Sequence, residues 1–327
     1  SLQFGSYRMM IDNTLSSFTG HIQVQRSGYH DDPKIRNSIE EIRFLADYLR
    51  DKVDSHDIAA RAIAFAMTSS QDRSYGLQIT GVEPGFEKNV STIPNLIKQG
   101  TNFNGYETEE IIIGSVLARN LRVSTGDELT LLGSGRDGSI AAGVVTVVGI
   151  FESGNNDIDR SMAQLPLGYF QSLFNMGKDG HSVVINAEDL EQVQQLQNKV
   201  ERMIIDYADK RNLHENKHPL TVLDWNQLIP GLKQAIQADM AGAWFMYGVL
   251  IILVAFSVLN TQLMSVLERT REFGTMMALG VKPARLGRLV LTETLLMSLL
   301  GLSIGITLGL LLTYYPVSYT HLRAHET

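Results

Sequence analysis

Three stretches hold side chains whose types and spacing could do chemistry. His214-Glu215-Asn216-Lys217-His218 matches H-E-x-x-H, in which a helix sets two His one turn apart on a zinc ion while the Glu activates the metal-bound water. Pro219 follows at once, the flanks are polar and no third ligand has suitable context. The stretch therefore reads as a solvated loop, with no metal, no catalytic residue and no cofactor. Gly133-Ser134-Gly135-Arg136-Asp137-Gly138-Ser139 is Gly-rich, yet a phosphate cradle needs Gly-Lys-Ser/Thr opening a helix. Flanked by strand-like 129–132 and 144–148, it reads as a hairpin loop, so any nucleotide would be bound by a partner. The third stretch, 268–288, sets Arg269, Arg271, Lys282, Arg285 and Arg288 against only Glu268 and Glu272. Its chemistry is ionic rather than catalytic.

That charged hinge lies between two apolar runs. The first carries no charge between Asp239 and Glu268, and the second, 289–315, carries only Glu293. A bilayer core about 30 Å thick takes roughly 20 apolar residues at about 1.5 Å rise each, so both runs are long enough to span a lipid bilayer. Lys and Arg concentrate in short cytoplasmic loops, which predicts a cytoplasmic hinge and places everything before Met240 outside. Glu293 near the start of the second run has two readings, a functional intramembrane acid or an acid complementing a helix N-terminus. Gly301, Gly305 and Gly309 repeat at four-residue spacing on one helix face, the pattern that lets a neighbouring helix approach closely. Within the hinge, Gly274 and Gly280 around Met276, Met277 and Leu279 predict a short amphipathic helix with a Gly stop, with Pro283 opening the next. Such a helix could dock in a partner's groove.

Glu268-Arg269-Thr270-Arg271-Glu272-Phe273-Gly274, followed by Ala278-Leu279-Gly280 and Glu293, resembles the signature of the FtsX/MacB superfamily of ABC transporter permeases. Within it, the chain most resembles the lipoprotein-releasing (LolC/LolE-type) permeases. A further likeness is the Gly20-His21-Ile22-Gln23-Val24 stretch ending at Gly28-Tyr29, which in those permeases opens the periplasmic domain. The resemblance implies an α+β extracytoplasmic (MacB-like periplasmic core) domain joined to transmembrane helices of an FtsX-like permease domain. It also implies that Glu268, Arg269, Arg271, Glu272, Gly274, Ala278 and Gly280 couple to a cytoplasmic ABC ATPase, with a second permease subunit completing a homo- or heterodimer.

Composition fits this division. The 327 residues exceed one typical domain, and a net charge of -7 without a basic stripe argues against nucleic acid. The chain has no Cys, which rules out a disulfide framework and a thiolate site. Expected boundaries are 1–239 for the periplasmic domain, 240–315 for the transmembrane region and 316–327 for a non-native tail. That tail turns abruptly polar like a translated vector scar. Because the chain starts at Ser1 with no apolar segment before the exported part, the resemblance implies a missing spanning helix before it. A fourth is expected after the second run.

Along the first domain, 20–25 alternates as a strand. Ser38 with Glu41 three residues on predicts a capping box for an amphipathic helix ending near Asp51. Strands are expected at 58–70 and 75–82 around a polar turn, then at 110–113, 128–132, 144–151 and 182–186. Helices are expected at 115–120, 190–209 and 225–239, with loops at 85–104 and 154–157. Met162 to Phe174 resembles the segment that crosses to the second part of such domains. If 225–267 is one helix, it is a stiff rod leading into the bilayer.

The expected function is a permease subunit in the bacterial inner membrane that passes motion from a partner ATPase to its periplasmic domain, with a lipid-anchored or amphiphilic cargo. Two rivals stay open. One is a macrolide- or peptide-type efflux permease with an ATPase fused upstream, and the other an FtsX-like scaffold that transports nothing and activates a cell-wall hydrolase.

Overall fold

The computed structural model describes residues 15–323 except 54–56, 72, 188–189 and 212–218. His214 to His218 lie outside the described residues. The chain divides into two compact units, Ser1–Gln237 and Ala238–Thr327.

The first unit is built on one mixed sheet. Its strands are Ile22–Arg26 (β1), Ile58–Ser70 (β2), Arg73–Val82 (β3), Ile97–Gly100 (β4), Glu110–Gly114 (β5), Glu128–Ser134 (β6), Ile140–Phe151 (β7), Met162–Pro166 (β8), Ser182–Ile185 (β9) and Leu220–Asp224 (β10). They run in the order β10-β1-β9-β2-β3-β8-β5-β7-β4, with β6 pairing β2 and β7. Pairing is antiparallel except for β3 with β8 and β5 with β7. The helices are Ile42–Val53 (α1), Pro84–Val90 (α2), Ser115–Leu121 (α3), Asn156–Ser161 (α4), Leu167–Leu173 (α5) and Val193–Lys210 (α6).

Side-chain size sets the packing. On α1, Ile42, Leu45, Ala46 and Leu49 are buried, the i, i+3, i+4, i+7 face of an amphipathic helix. Along β2, Ala62, Ala64 and Ala66 point inward, leaving room for the large rings of Phe170 and Phe174, whose centroids lie 4.6 Å apart. Gly81 completes this fit, because a Cβ there would come within 2.6 Å of Phe170 Cγ.

Several expectations need correction. The capping box does not form: the Ser38 hydroxyl donates to Asp179 Oδ2 at 3.1 Å, Glu41 pairs with Arg211 at 2.8 Å, and α1 begins at Ile42. Residues 85–104 are not all loop, since they hold most of α2 and all of β4, and 154–157 runs into α4, whose Asn155 side chain accepts from Asp157 N–H at 2.9 Å. β10 has no counterpart among the expected strands. The rod is broken near its start. Trp225–Leu228 (α7) is capped by Asp224 and Gln227 in a capping box, and Ile229 leaves helical geometry at φ -132, ψ 69. The long helix then begins at the next residue, as Pro230–Glu268 (α8). A residue before proline is driven away from helix, which accounts for the break.

Candidate functional site

The second unit contains most of α8, from Ala238 on, the short helix Thr270–Ala278 (α9) and Pro283–Arg323 (α10). Pro230–Glu268 and Pro283–Leu311 are long and apolar enough to cross a membrane. Their apolar side chains are exposed along their length, as expected of helices whose solvent is lipid rather than water.

Between the two spans, α9 is closed by backbone geometry. Gly280 adopts φ +94, a left-handed conformation that suits Gly because it has no Cβ. Its N–H donates to Met277 O at 3.0 Å, and Val281 N–H donates to Met276 O at 3.1 Å. These two bonds make a Schellman stop. Pro283 then occupies the first position of α10, where its missing N–H costs nothing.

Three of the charged residues singled out in the sequence meet here. Arg269, at the joint between α8 and α9, donates from Nε to Glu272 Oε2 at 3.3 Å and from Nη1 to Glu293 Oε2 at 3.1 Å. Its guanidinium also lies 5.6 Å from the centre of the Phe273 ring. The hydrogen bond to Glu272 and the charge of Glu293 raise the already high pKa of Arg269, so the cation is permanent. The sequence puts Glu293 in the first turn of an apolar segment, but α10 starts ten residues earlier. Helix-terminus electrostatics fade within the first turn, so the ion pair with Arg269 is what meets its charge. Glu268, Arg271, Gly274, Ala278 and Gly280 belong to the same joint without entering the cluster. Gly301, Gly305 and Gly309 stand along α10, where an added Cβ would meet nothing within 4 Å.

The cluster contains no nucleophile and base pair, and among the described residues no group of His, Cys, Asp and Glu could hold a metal. What it does is join three elements through one cation. The Arg269–Glu272 spacing of three is readable as a helical pair. The spacing of four between Arg269 and Phe273 is readable in the same way, whereas the Arg269–Glu293 pair, 24 residues apart, depends on the turn between α9 and α10.

The first unit holds a separate set of charges, all structural in geometry. Arg61 Nε and Nη2 grip Glu87 at 3.1 and 2.7 Å, and Arg50 pairs with Glu83, which also accepts from Ala60 N–H at 2.8 Å. His181 accepts from Ile63 N–H at Nδ1 (2.8 Å), and its Nε2 lies 3.0 Å from Ile35 O, so Nε2 carries the proton. Burial lowers the pKa of His181 to about 4.

Comparison with known proteins follows the same division. The family described as MacB-like periplasmic core domain matches residues 4–203, and FtsX-like permease C-terminal matches 244–321. The lipoprotein-releasing system transmembrane protein LolC of Xylella fastidiosa is 25% identical over 251 residues, 74% of this chain and 57% of that protein. LolE of Haemophilus influenzae is 26% identical over 243 residues, 72% of this chain and 55% of that protein. The chain thus spans somewhat over half the length of these relatives. The periplasmic region of MacB from Actinobacillus actinomycetemcomitans superposes with a TM-score of 0.46 at 13% identity, covering 70% of this chain and 98% of that one. Matched over more than half its length by the first, the chain belongs to the MacB-like periplasmic core domain family, and its apolar end is similar to the FtsX-like permease C-terminal family.

Proposed function

We propose that this permease works in lipoprotein release, turning ATP hydrolysis by a separate cytoplasmic ATPase into motion of its α+β domain. In this reading the protein sits in a bacterial inner membrane with residues 1–239 in the periplasm and a second permease subunit beside it. Its cargo is lipid-anchored or amphiphilic. The likeness to LolC and LolE supports the cargo class, and the excess of Lys and Arg in 268–288 supports a cytoplasmic hinge.

The observation that carries the coupling step is the Arg269 cluster. A push on α9 by a closing ATPase dimer would reach α10 through the Arg269–Glu293 pair and α8 through the backbone joint at Arg269. Two spans would therefore move together rather than one. The physical warrant for coupling is an element with discrete arrangements that both sites bias, and a cation able to favour Glu272 or Glu293 would supply one. Glu268, Arg271, Gly274, Ala278 and Gly280 shape the surface offered to the ATPase.

The test is reconstitution of the complete gene product with its ATPase and second permease in proteoliposomes carrying a lipoprotein. Glu272→Gln should leave ATP hydrolysis within about twofold of wild type and cut lipoprotein release by tenfold or more. Equal release by the variant would overturn the coupling role.

A further inference from the structure

We propose that the groove between α1, α5 and residues 104–109 binds an arginine of a partner polypeptide. The guanidinium lies on the ring of Tyr169 and pairs with Glu109, and the residues around that arginine run along the groove in extended form. The groove has a volume of about 990 Å³, large for a ligand site. Three of its walls are aromatic: Phe44 from α1, Tyr106 from the loop before β5, and Tyr169 from α5.

The chain's own arginines already cover two of these rings. Arg211 lies 4.1 Å from the centre of the Phe44 ring, and its Nη1 donates to Glu41 Oε2 at 2.8 Å. Arg43 lies 4.3 Å from the centre of the Tyr106 ring, and its Nε stands 3.3 Å from Glu83 Oε1. In both places a guanidinium stacks on a ring while a carboxylate holds it, a pairing that suits the planar, many-donor cation of Arg better than the compact ammonium of Lys. Tyr169 repeats the setting. Burial, and then the charge of the nearby Glu109, raise the pKa of its phenol. Among the described residues no cation lies over the Tyr169 ring, and neither Glu109 nor Glu107 on the same wall forms an ion pair.

The remaining charges at the groove are accounted for. Asp47 pairs with Arg50 at 2.6 Å. Arg211, and to a lesser degree Lys178, hold the Glu41 carboxyl below its ordinary pKa. Glu107 and Glu109 are therefore the charges that a ligand meets, and they call for a cation.

The walls are fixed before any partner arrives. Tyr106 OH donates to Gln171 Oε1 at 3.2 Å, Tyr169 OH donates to Val144 O at 3.4 Å, and Gly168 N–H donates to Tyr106 O at 3.0 Å. An added Cβ on Gly168 would come within 2.6 Å of the Tyr106 ring and 2.7 Å of Glu107 Cγ, so the absence of a side chain lets these walls meet. Shape then identifies where the cation comes from. Arg43 and Tyr106 also line a second groove of about 430 Å³, walled further on by Phe86 and Phe103. A trough with aromatic walls along its length suits an extended chain, with pockets for successive side chains, rather than a lone small cation. The net charge of -7 adds attraction for a basic partner. The site stands independently of the proposed transport function.

The probe is a phage-displayed library of random twelve-residue peptides, panned on the detergent-solubilised full protein. Enriched peptides should share an Arg at one fixed position. A synthetic peptide of the enriched sequence should bind Glu109→Gln about tenfold more weakly than wild type, and should lose a similar factor when citrulline, a neutral isostere, replaces its Arg. Tyr169→Leu should weaken binding about threefold. Glu109 is exposed, so Glu109→Gln should keep the wild-type melting temperature, and it decides the matter if Tyr169→Leu does not fold. Failure to enrich any peptide, enrichment without a shared Arg, or equal binding to wild type and Glu109→Gln overturns the proposal. If free arginine amide displaces the peptide as well as the unlabelled peptide does, the site takes a small cation and the partner segment is wrong.

Discussion

Two Arg–Glu pairs divide the labour in this molecule. Arg61 and Glu87 lie inside the α+β unit with side chains 1% and 2% exposed, the guanidinium held twice by the carboxylate and once by Phe18 O. Arg269 and Glu293 lie at the hinge with side chains 39% and 49% exposed, and the guanidinium is shared with Glu272. The chemistry is the same but the surroundings differ. A desolvated pair cannot lose one partner without stranding a charge in a poor solvent, so it locks its elements. An open pair exchanges partners at little cost because water and nearby carboxylates replace what it loses. In the proposed function, the first pair would keep its elements together while the second would let the joint rearrange.

The sharpest way to break the comparison is to remove one member of the locked pair. Arg61→Met should cost about 3–5 kcal/mol of unfolding free energy, read by urea denaturation of the detergent-solubilised protein, because Glu87 is left buried and uncompensated. Arg61→Met with Glu87→Met should recover most of the loss. A single variant costing under about 1 kcal/mol would show that the buried pair does not lock β2 to α2.

The same interior predicts a pH dependence. Burial holds His181 neutral in the folded state down to about pH 4, whereas in the unfolded chain it titrates near 6.5. As pH falls from about 6.5 to about 4, the unfolded state takes up a proton that the folded state refuses, so stability falls across that window. The shift corresponds to roughly 3 kcal/mol. His181→Gln should be less stable at pH 7, having lost the fit between Ile63 and Ile35, but its decline with acid should be shallower by about that amount. Identical slopes for the two proteins would refute the assignment. A smaller effect tests the break before the long helix: Asp224→Ala removes the cap of α7 and should cost about 1 kcal/mol, measured by the same denaturation.

How much of this the sequence discloses depends on the range of the interaction. The β2–β3 hairpin follows from two strand-like runs around a polar turn, and the face of α1 follows from its apolar spacing. The start of α1 escapes local reading because the hydroxyl of Ser38 is claimed by Asp179, 141 residues away, which no local rule can foresee. The break at Ile229 is legible, since Pro230 follows it. Arg61 also leaves a signal, a lone charge within the Ala-rich run of β2. At the hinge, the residue types and the Gly stop can be read directly. That Arg269 reaches Glu293 cannot, because the pairing depends on how α9 turns into α10.

Arg269→Gln should move stability least of all the changes proposed and function most. Its carboxylate partners remain solvated when the cation is gone, so the melting temperature of the detergent-solubilised protein should stay within measurement error of wild type. Transport should nevertheless fall, because Gln can hydrogen-bond one carboxylate but cannot attract both α9 and α10 as a cation does. The charge-swapped pair Arg269→Glu with Glu293→Arg sharpens the point. It restores the link to α10 while setting a second carboxylate beside Glu272, so it should recover release only in part. Recovery to wild-type release would show that Glu272 plays no part in the joint. Unchanged release by Arg269→Gln alone would leave the hinge with a polar surface but no shared cation to carry motion, and the contrast with Arg61 would then be one of burial without mechanical meaning.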